Sequence, residues 1–222
     1  MKDYLSKTSF LHIFFGFLVF FTGFLSCSKG APRIEYGFIE LVYYSGNEIP
    51  EEHFSFFVLA EDDDGAANLS ELYLYHDREG LRWLISSEDW ILYEEDGKTW
   101  IGSRSLSMEE GTLPRGQYRA VLENKSGEKT ERFFTFDGPE AAPYPFPFFT
   151  VLNGMYRIDS RYPVNNLVLY DQQGKFVQKL TISDIEGNIK DLRMSSNART
   201  AALWAEDPEY HISALTEAVL LR

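Results

Sequence analysis

The sequence predicts an all-β protein, and three observations support this fold class. Apolar and polar residues alternate with a period of two along many segments, as in strands that bury one face. Turns that contain glycine, such as Asp64-Gly65 and Asp96-Gly97, separate these segments. No segment after Cys27 shows a long helical period, so we expect at most two short helices, at 87–90 and 195–199.

The N-terminus has the pattern of an export signal. Lys2 and Lys7 give a short positive segment, and residues 10–25 form an apolar run dominated by Phe, Leu, Ile and Val. This run is shorter than the roughly 20 residues that span a bilayer comfortably, which favours a cleavable signal peptide at 1–26. An uncleaved signal anchor, with an idle thiol at Cys27, is the alternative.

The run ends in Phe24-Leu25-Ser26-Cys27, which resembles the lipobox of bacterial lipoproteins in its looser, spirochaete form. The resemblance implies cleavage between Ser26 and Cys27, a diacylglycerol on the Cys27 sulfur and an acyl chain on the new amino terminus. Several acyl chains anchor a protein stably to a membrane. Residues 27–33 would be a lipidated tether. Ser28 is not the aspartate that resembles an inner-membrane retention signal, so an outer-membrane or surface location is favoured.

The segment 34–137 carries the clearest alternation. Phe54, Phe56 and Val58 share one face of a candidate strand, and Phe57 and Leu59 share the other. The same pattern recurs in three further segments, whose alternating members are Leu72 and Leu74; Tyr118, Ala120 and Leu122; and Arg132, Phe134 and Phe136. Such runs, rich in aromatic and β-branched residues, are typical of strands.

One motif indicates the kind of β-fold. Leu113-Pro114-Arg115-Gly116-Gln117-Tyr118 precedes a strand, a hairpin at 124–129 and a closing strand that ends at Phe136. This order resembles the late part of immunoglobulin-like and fibronectin type III-like β-sandwiches, in which a corner tyrosine bonds to upstream backbone. The resemblance implies an immunoglobulin-like β-sandwich over 34–137 with Tyr118 as its structural tyrosine corner. Another antiparallel meander is the alternative.

A proline-rich segment follows the sandwich. Four of the nine prolines lie within 138–147. Proline removes donors from a strand ladder and favours extended geometry, so 138–149 is expected to be a semi-rigid linker. A docking peptide for an aromatic groove is the alternative.

The remaining segment, 150–222, predicts a smaller β-rich C-terminal domain. Leu167 and Leu169 alternate with Val168 and Tyr170. A module of this size buries little area alone, so we expect it to contact the sandwich across the linker.

Composition narrows the function classes. The formal net charge is −13, and no dense stripe of Lys and Arg offsets it, which argues against a nucleic-acid partner. The single cysteine excludes an intrachain disulfide. No nucleophile elbow, phosphate loop or dinucleotide fingerprint occurs, so no catalytic residue is predicted.

Two polar motifs are candidates for a catalytic or metal site. His76-Asp77 is expected to be a surface pair rather than a catalytic relay. Asp62, Asp63 and Asp64 offer hard oxygens for a candidate calcium site, but they lack the EF-hand pattern. A polar turn that discourages strand pairing is the alternative, and no cofactor other than the Cys27 lipid is predicted.

The aromatic residues leave two interpretations. Trp83, Trp90, Trp100 and Trp204 are expected mainly in the core. Exposed aromatic rings on a sandwich would instead stack on sugars or bind a peptide.

Three functions follow from the sequence. The first is a non-enzymatic, membrane-anchored envelope lipoprotein whose sandwich serves a structural role or meets an envelope or extracellular protein partner. The second is a glycan-binding module, which a contiguous aromatic patch on the surface would favour. The third is a hydrolase built from scattered carboxylates, which a cleft with converging, desolvated carboxylates would favour.

Overall fold

The computed structural model describes residues 30–45, 50–109 and 111–221, and within them the chain forms β-strands and two one-turn 3₁₀ helices but no α-helix. The prediction of an all-β protein is confirmed. The first eight strands are β1 (Arg33–Tyr44), β2 (Glu51–Glu61), β3 (Leu69–His76), β4 (Leu81–Ser86), β5 (Ile91–Glu95), β6 (Lys98–Ser107), β7 (Gly116–Asn124) and β8 (Lys129–Phe136). The others are β9 (Phe148–Leu152), β10 (Met155–Asp159), β11 (Val164–Tyr170), β12 (Phe176–Ile182), β13 (Glu186–Asn188), β14 (Thr200–Asp207), β15 (Ile212–Leu215) and β16 (Val219–Leu220).

The first eight strands form a sandwich of two antiparallel layers. One layer has the order β1-β2-β6-β5 and the other has the order β4-β3-β7-β8. With the strands lettered along the chain as A, B, C, C′, D, E, F and G, these are the ABED and C′CFG sheets of an immunoglobulin-like fold. The predicted sandwich is confirmed.

Alternation along the strands explains how the layers pack. Phe54, Phe56 and Val58 of β2 are buried in the core, as are Leu72 and Leu74 of β3. Because successive side chains of a strand point to opposite faces, each of these strands directs its remaining residues away from the core.

The C-terminal segment extends one layer of the sandwich. Strand β15 pairs in parallel with β1, with Leu41 opposite Ile212 and Tyr44 opposite Leu215. The order β12-β11-β14-β15 therefore continues β1-β2-β6-β5 into one nine-stranded sheet that includes β16 beside β14. Strands β9, β10 and β13 form a separate three-stranded sheet, and buried residues of all three sheets belong to one hydrophobic cluster. The expected contact across the linker is present.

The proline-rich segment is hydrogen-bonded to the sandwich and to the C-terminal segment. The guanidinium of Arg115 donates to the carbonyl oxygens of Gly138 and Pro139. Farther along, the Tyr144 hydroxyl donates to the Asp207 carboxylate at 2.6 Å. Strand β9 begins at Phe148, inside the predicted linker range.

The two expected helices do not form. Residues 87–90 and 195–199 contain turns and bends, and the 3₁₀ helices lie instead at Ala66–Asn68 and Ile189–Asp191. Both expected segments are too short for an α-helix to nucleate without strong support from packing. Within the described ranges the structure contains no helix with the length and apolar character of a membrane span.

Candidate ligand-binding trough

The outer face of the nine-stranded sheet contains an open depression of about 510 Å³, here called the trough. Its aromatic lining residues are Phe38, Tyr44, Phe57, Tyr170, Phe176 and Trp204. Its charged lining residues are Glu40, Arg104, Lys179 and Glu206, and Ser55, Val168 and Leu215 complete it. The trough therefore lies on the side of the sheet opposite the core.

The sheet curls around the trough. Arg104 on β6 and Tyr170 on β11 are five strand steps apart in the sheet, about 24 Å if the sheet were flat. Burial raises the pKa of Tyr170, and the charge of Arg104 lies near enough to oppose that rise. The Tyr44 hydroxyl of β1 also reaches over β2 and donates to the Arg104 carbonyl oxygen at 3.2 Å. The two flanks of the sheet are thus brought together.

Aromatic rings form a continuous strip along the outer face. Phe38 stacks on Phe57 with ring centroids 5.7 Å apart, and it lies at the same centroid distance from Trp100. Trp100 in turn meets Tyr36 edge-on at 6.0 Å. The rings therefore extend from inside the trough to the region beyond it.

The tryptophans divide between the core and the outer face. Trp83 and Trp90 pack against the hydrophobic core, as expected. Trp100 belongs to the aromatic strip and Trp204 lines the trough, so the expectation of a core position is wrong for these two. Both lie at outward positions of their strands.

The two carboxylates of the trough have different surroundings. Glu206 accepts hydrogen bonds from the Trp204 indole nitrogen at 2.8 Å, the Asn166 amide at 2.9 Å and the Lys179 ammonium at 3.3 Å. Burial raises the pKa of Glu40; the charge of Glu206 adds to the rise, while His211 and Lys179 oppose it. Glu206 is fixed in place by donors, whereas Glu40 lies in a poorly hydrated position.

Two further depressions lie beyond the ends of the trough. Tyr44 and Tyr170 also line a neighbouring depression of about 360 Å³. Beyond Phe38, Tyr36 and Trp100 line a third depression of about 450 Å³. The outward side chains of β1 run through all three, and the eight residue steps from Tyr36 to Tyr44 correspond to about 26 Å. The outer face thus carries a row of three depressions along β1, here called the groove, rather than one closed pocket.

The sequence-predicted site residues that the structure describes lie outside the trough. Ser26 and Cys27 fall outside the described residues. The hydroxyl of buried Tyr118 donates to the Pro114 carbonyl oxygen, four residues upstream, at 2.6 Å. This is the hydrogen bond of a tyrosine corner, and it lies in the core, apart from the trough.

The acidic loop is tied together by its own hydrogen bonds. The Asp62 carboxylate accepts from the backbone N–H of Asp64 at 2.8 Å and from the Asn124 amide at 3.1 Å. Asp63 instead pairs with Arg33 at 3.2 Å. In the part of the chain that the structure describes, no three His, Cys, Asp or Glu side chains are grouped as a metal site.

His76 occupies a different environment from the one expected. It is 1% exposed and packs against the Tyr118 ring with centroids 4.8 Å apart, so the expectation of a surface pair with Asp77 is wrong. Asp77 pairs with Arg119 at 2.8 Å. The alternation of β3 explains the burial, because His76 shares the inward face of Leu74.

Comparison with known proteins adds the following findings. The sequence matches no protein-family model and no curated protein sequence. Among solved structures, the N-terminal Ig1-2 module of the Drosophila receptor protein tyrosine phosphatase DLAR is 13% identical, with a TM-score of 0.38; the alignment covers 85% of this chain and 100% of that one. Dimeric latent PorU from Porphyromonas gingivalis is also 13% identical, with a TM-score of 0.34 over 86% of this chain and 20% of PorU.

A third structure, Tp47, the 47-kilodalton lipoprotein of Treponema pallidum, is 10% identical, with a TM-score of 0.33 over 86% of this chain and 50% of Tp47. The chain thus spans a fifth of PorU and half of Tp47. All three TM-scores are below 0.5, so the assignment of an immunoglobulin-like sandwich depends on the strand order of the chain itself.

Proposed function

We propose that this chain is an exported, lipid-anchored envelope protein that binds a ligand in the trough and catalyses no reaction. The observation that carries the proposal is the curled outer face, where aromatic and charged side chains from many strands line one cavity. Its volume lies in the range of about 300–1,000 Å³ typical of ligand sites. The core lies on the other side of the sheet, so its packing does not explain why these side chains converge.

The membrane anchor of this proposal is the Cys27 lipid. Only five residues separate Cys27 from the first residue of β1, Arg33, whose strand then runs along the trough. A fully extended segment of that length spans about 20 Å, so lipidation at Cys27 would hold the trough close to the membrane surface. An outer-membrane or cell-surface location brings such a site near envelope and external ligands.

Metabolic labelling with a palmitate analogue tests the anchor. We expect label in the wild-type protein and in Ser28→Ala, the matched control, because only the Cys27 thiol accepts the diacylglycerol. Cys27→Ala should carry no label. Equal labelling of Cys27→Ala and wild type would refute the lipid anchor.

Binding to isolated cell envelopes tests the trough. Phe176 lines the trough and is 57% exposed, whereas Phe148 on β9 is 66% exposed and lies outside it. In the unlipidated Cys27→Ala background, where acyl chains do not hold the protein in the membrane, we expect Phe176→Ala to lower retention on added envelopes about 5-fold, the loss of roughly 1 kcal/mol typical of a truncated contact residue. Phe148→Ala should be retained like wild type, and equal retention of all three proteins would contradict the trough as the binding site.

One observation favours a second candidate function, a carboxylate-based hydrolase. Glu40 and Glu206 line the same trough, and burial raises the pKa of Glu40. Acid–base hydrolysis uses a carboxyl with a raised pKa together with a second carboxylate. The recovery of shortened products from a bound ligand would assign this activity.

A further inference from the structure

We infer that the trough binds a neutral, linear oligosaccharide, with sugar rings stacked on its aromatic side chains and sugar hydroxyls bonded to its charged groups. The inference rests on the proposed function, and it adds the chemical class of the ligand. Four properties of the groove support it: its rings, its mixed polar groups, its charge balance and its length.

The aromatic rings offer faces suited to sugars. The C–H faces of a pyranose carry partial positive charge, and an aromatic face carries partial negative charge, so the two attract each other when stacked. Tyr36 and Phe176 are each 57% exposed, and the Phe38 and Trp100 rings between the depressions are half-buried. Covering such apolar area by a ligand is favourable at about 25 cal/mol per Å².

The polar groups suit a hydroxyl, which both donates and accepts hydrogen bonds. The carboxylate of Glu206 offers acceptors, whereas Arg104 and Lys179 offer only donors. Glu206, Arg104 and Lys179 all line the trough, so a hydroxyl bound there meets both kinds of group.

The charges favour a neutral ligand. The trough contains two acidic and two basic side chains, and Glu206 and Lys179 are already paired. A polyanion would meet a protein with a net charge of −13, which repels it at long range. A strongly basic ligand would meet Arg104 and Lys179 at the rim.

The floor and the length of the groove favour a polysaccharide over a peptide strand. The strands beneath the middle of the trough, β1, β2, β14 and β15, are each hydrogen-bonded to neighbours on both sides, so a peptide that lies across them cannot pair with their backbones. The free edges of the sheet are its two end strands, β12 and β5. The three depressions along β1 extend over about 26 Å. This length accommodates a linear chain of several sugar units.

Titration calorimetry with defined sugars tests the inference. The full chain, purified in detergent, is titrated with cellohexaose, xylohexaose, mannohexaose, chitohexaose and the acidic hexagalacturonate, and with a proline-rich peptide. We expect at least one neutral hexasaccharide to bind, with affinity at least 10-fold higher than hexagalacturonate and the corresponding disaccharide. Phe176→Ala should weaken that binding about 5-fold, and Phe148→Ala should leave it unchanged.

The outcomes separate this inference from the proposed function. Failure of every neutral hexasaccharide to bind overturns the inference, as does tighter binding of the peptide. If envelope retention still depends on Phe176 but is abolished by protease treatment of the envelopes, the ligand is a protein and only the sugar assignment falls. If a hexasaccharide binds and is recovered as shorter products, the ligand class stands and the non-catalytic role falls.

Discussion

At the scale of single residues, a buried ion pair connects three parts of the sandwich. Arg115 forms two hydrogen bonds with the Glu52 carboxylate, at 2.9 and 3.1 Å, and the same carboxylate accepts the Leu113 backbone N–H at 3.0 Å. The side chains of Glu52 and Arg115 are 7% and 18% exposed. Because Arg115 also bonds to the carbonyls of Gly138 and Pro139, the pair links β2, the loop before β7 and the proline-rich segment.

Removal of one partner of this pair should be costly. We expect Arg115→Met to lower the free energy of unfolding by about 3–5 kcal/mol, because it leaves a buried carboxylate without its counter-charge. Guanidinium-induced unfolding measures this change. Arg33→Met is the control, since water screens the exposed pair of Arg33 with Glu61 and the pair adds little to stability. Similar losses in both variants would show that burial of the pair does not matter.

At this scale, contacts between residues close in the sequence could be predicted from the sequence, whereas contacts between distant residues could not. The tyrosine corner depends on Pro114 and Tyr118, four residues apart, so the motif itself contained the information. The partners of Glu206 depend on the neighbours that β14 acquires in the folded sheet. For Cys27, the predicted lipidation rests on the sequence alone.

At the scale of single elements, β6 packs against β2 without room for a side chain at Gly102. A Cβ atom there would lie 2.0 Å from the Phe56 carbonyl oxygen and 2.8 Å from the Phe57 Cα. The pairing of β2 with β6 shifts register between Phe54 and Phe56, next to this contact. A glycine inside a strand commonly marks such a close backbone approach.

A methyl group at this position should strain the sheet and displace the trough wall. We expect Gly102→Ala to destabilise the protein by about 1–3 kcal/mol, the usual cost of overpacking, and to weaken ligand binding because Phe57 lines the trough. Thermal unfolding and the envelope assay measure the two effects. Ser105→Ala, at an exposed position of the same strand, should change neither. A wild-type melting temperature for Gly102→Ala would contradict the close contact.

Alternation predicted the strands correctly but did not identify the trough. Phe54, Phe56 and Val58 lie in the core as the pattern indicates, and Phe57 and Leu59 lie on the opposite face. Both of those outward residues are nevertheless buried, because Phe57 stacks on Phe38 and Leu59 lies between Tyr36 and Trp100 of the neighbouring strands. A period of two indicates which residues share a face; it does not indicate what covers that face.

At the scale of the whole molecule, buried phenols should make the protein sensitive to alkaline pH. Burial raises the pKa of Tyr43 from 10.0 to about 12, and burial also raises the pKa values of Tyr118, Tyr162 and Tyr170. Above pH 10 the unfolded chain releases these protons while the folded chain keeps them, so the folded state binds more protons.

Stability should therefore be complete below pH 10 and fall progressively as the pH rises towards 12. Denaturant unfolding at a series of pH values measures the decline, and the ultraviolet absorbance of phenolate should appear together with unfolding. Tyr43→Phe should reduce the slope of stability against pH in this window. A flat stability profile from pH 10 to 12 would contradict the burial of these phenols.

The parallel pairing of β1 with β15 also determines the order in which the molecule is completed. Synthesis proceeds from the N-terminus, so β1 emerges well before its partner β15. Until then, one edge of β1 remains open, and an open edge is a template for pairing with another chain. The trough is consequently complete only after β15 has emerged, and a chain truncated before residue 212 lacks the strand that joins its two flanks.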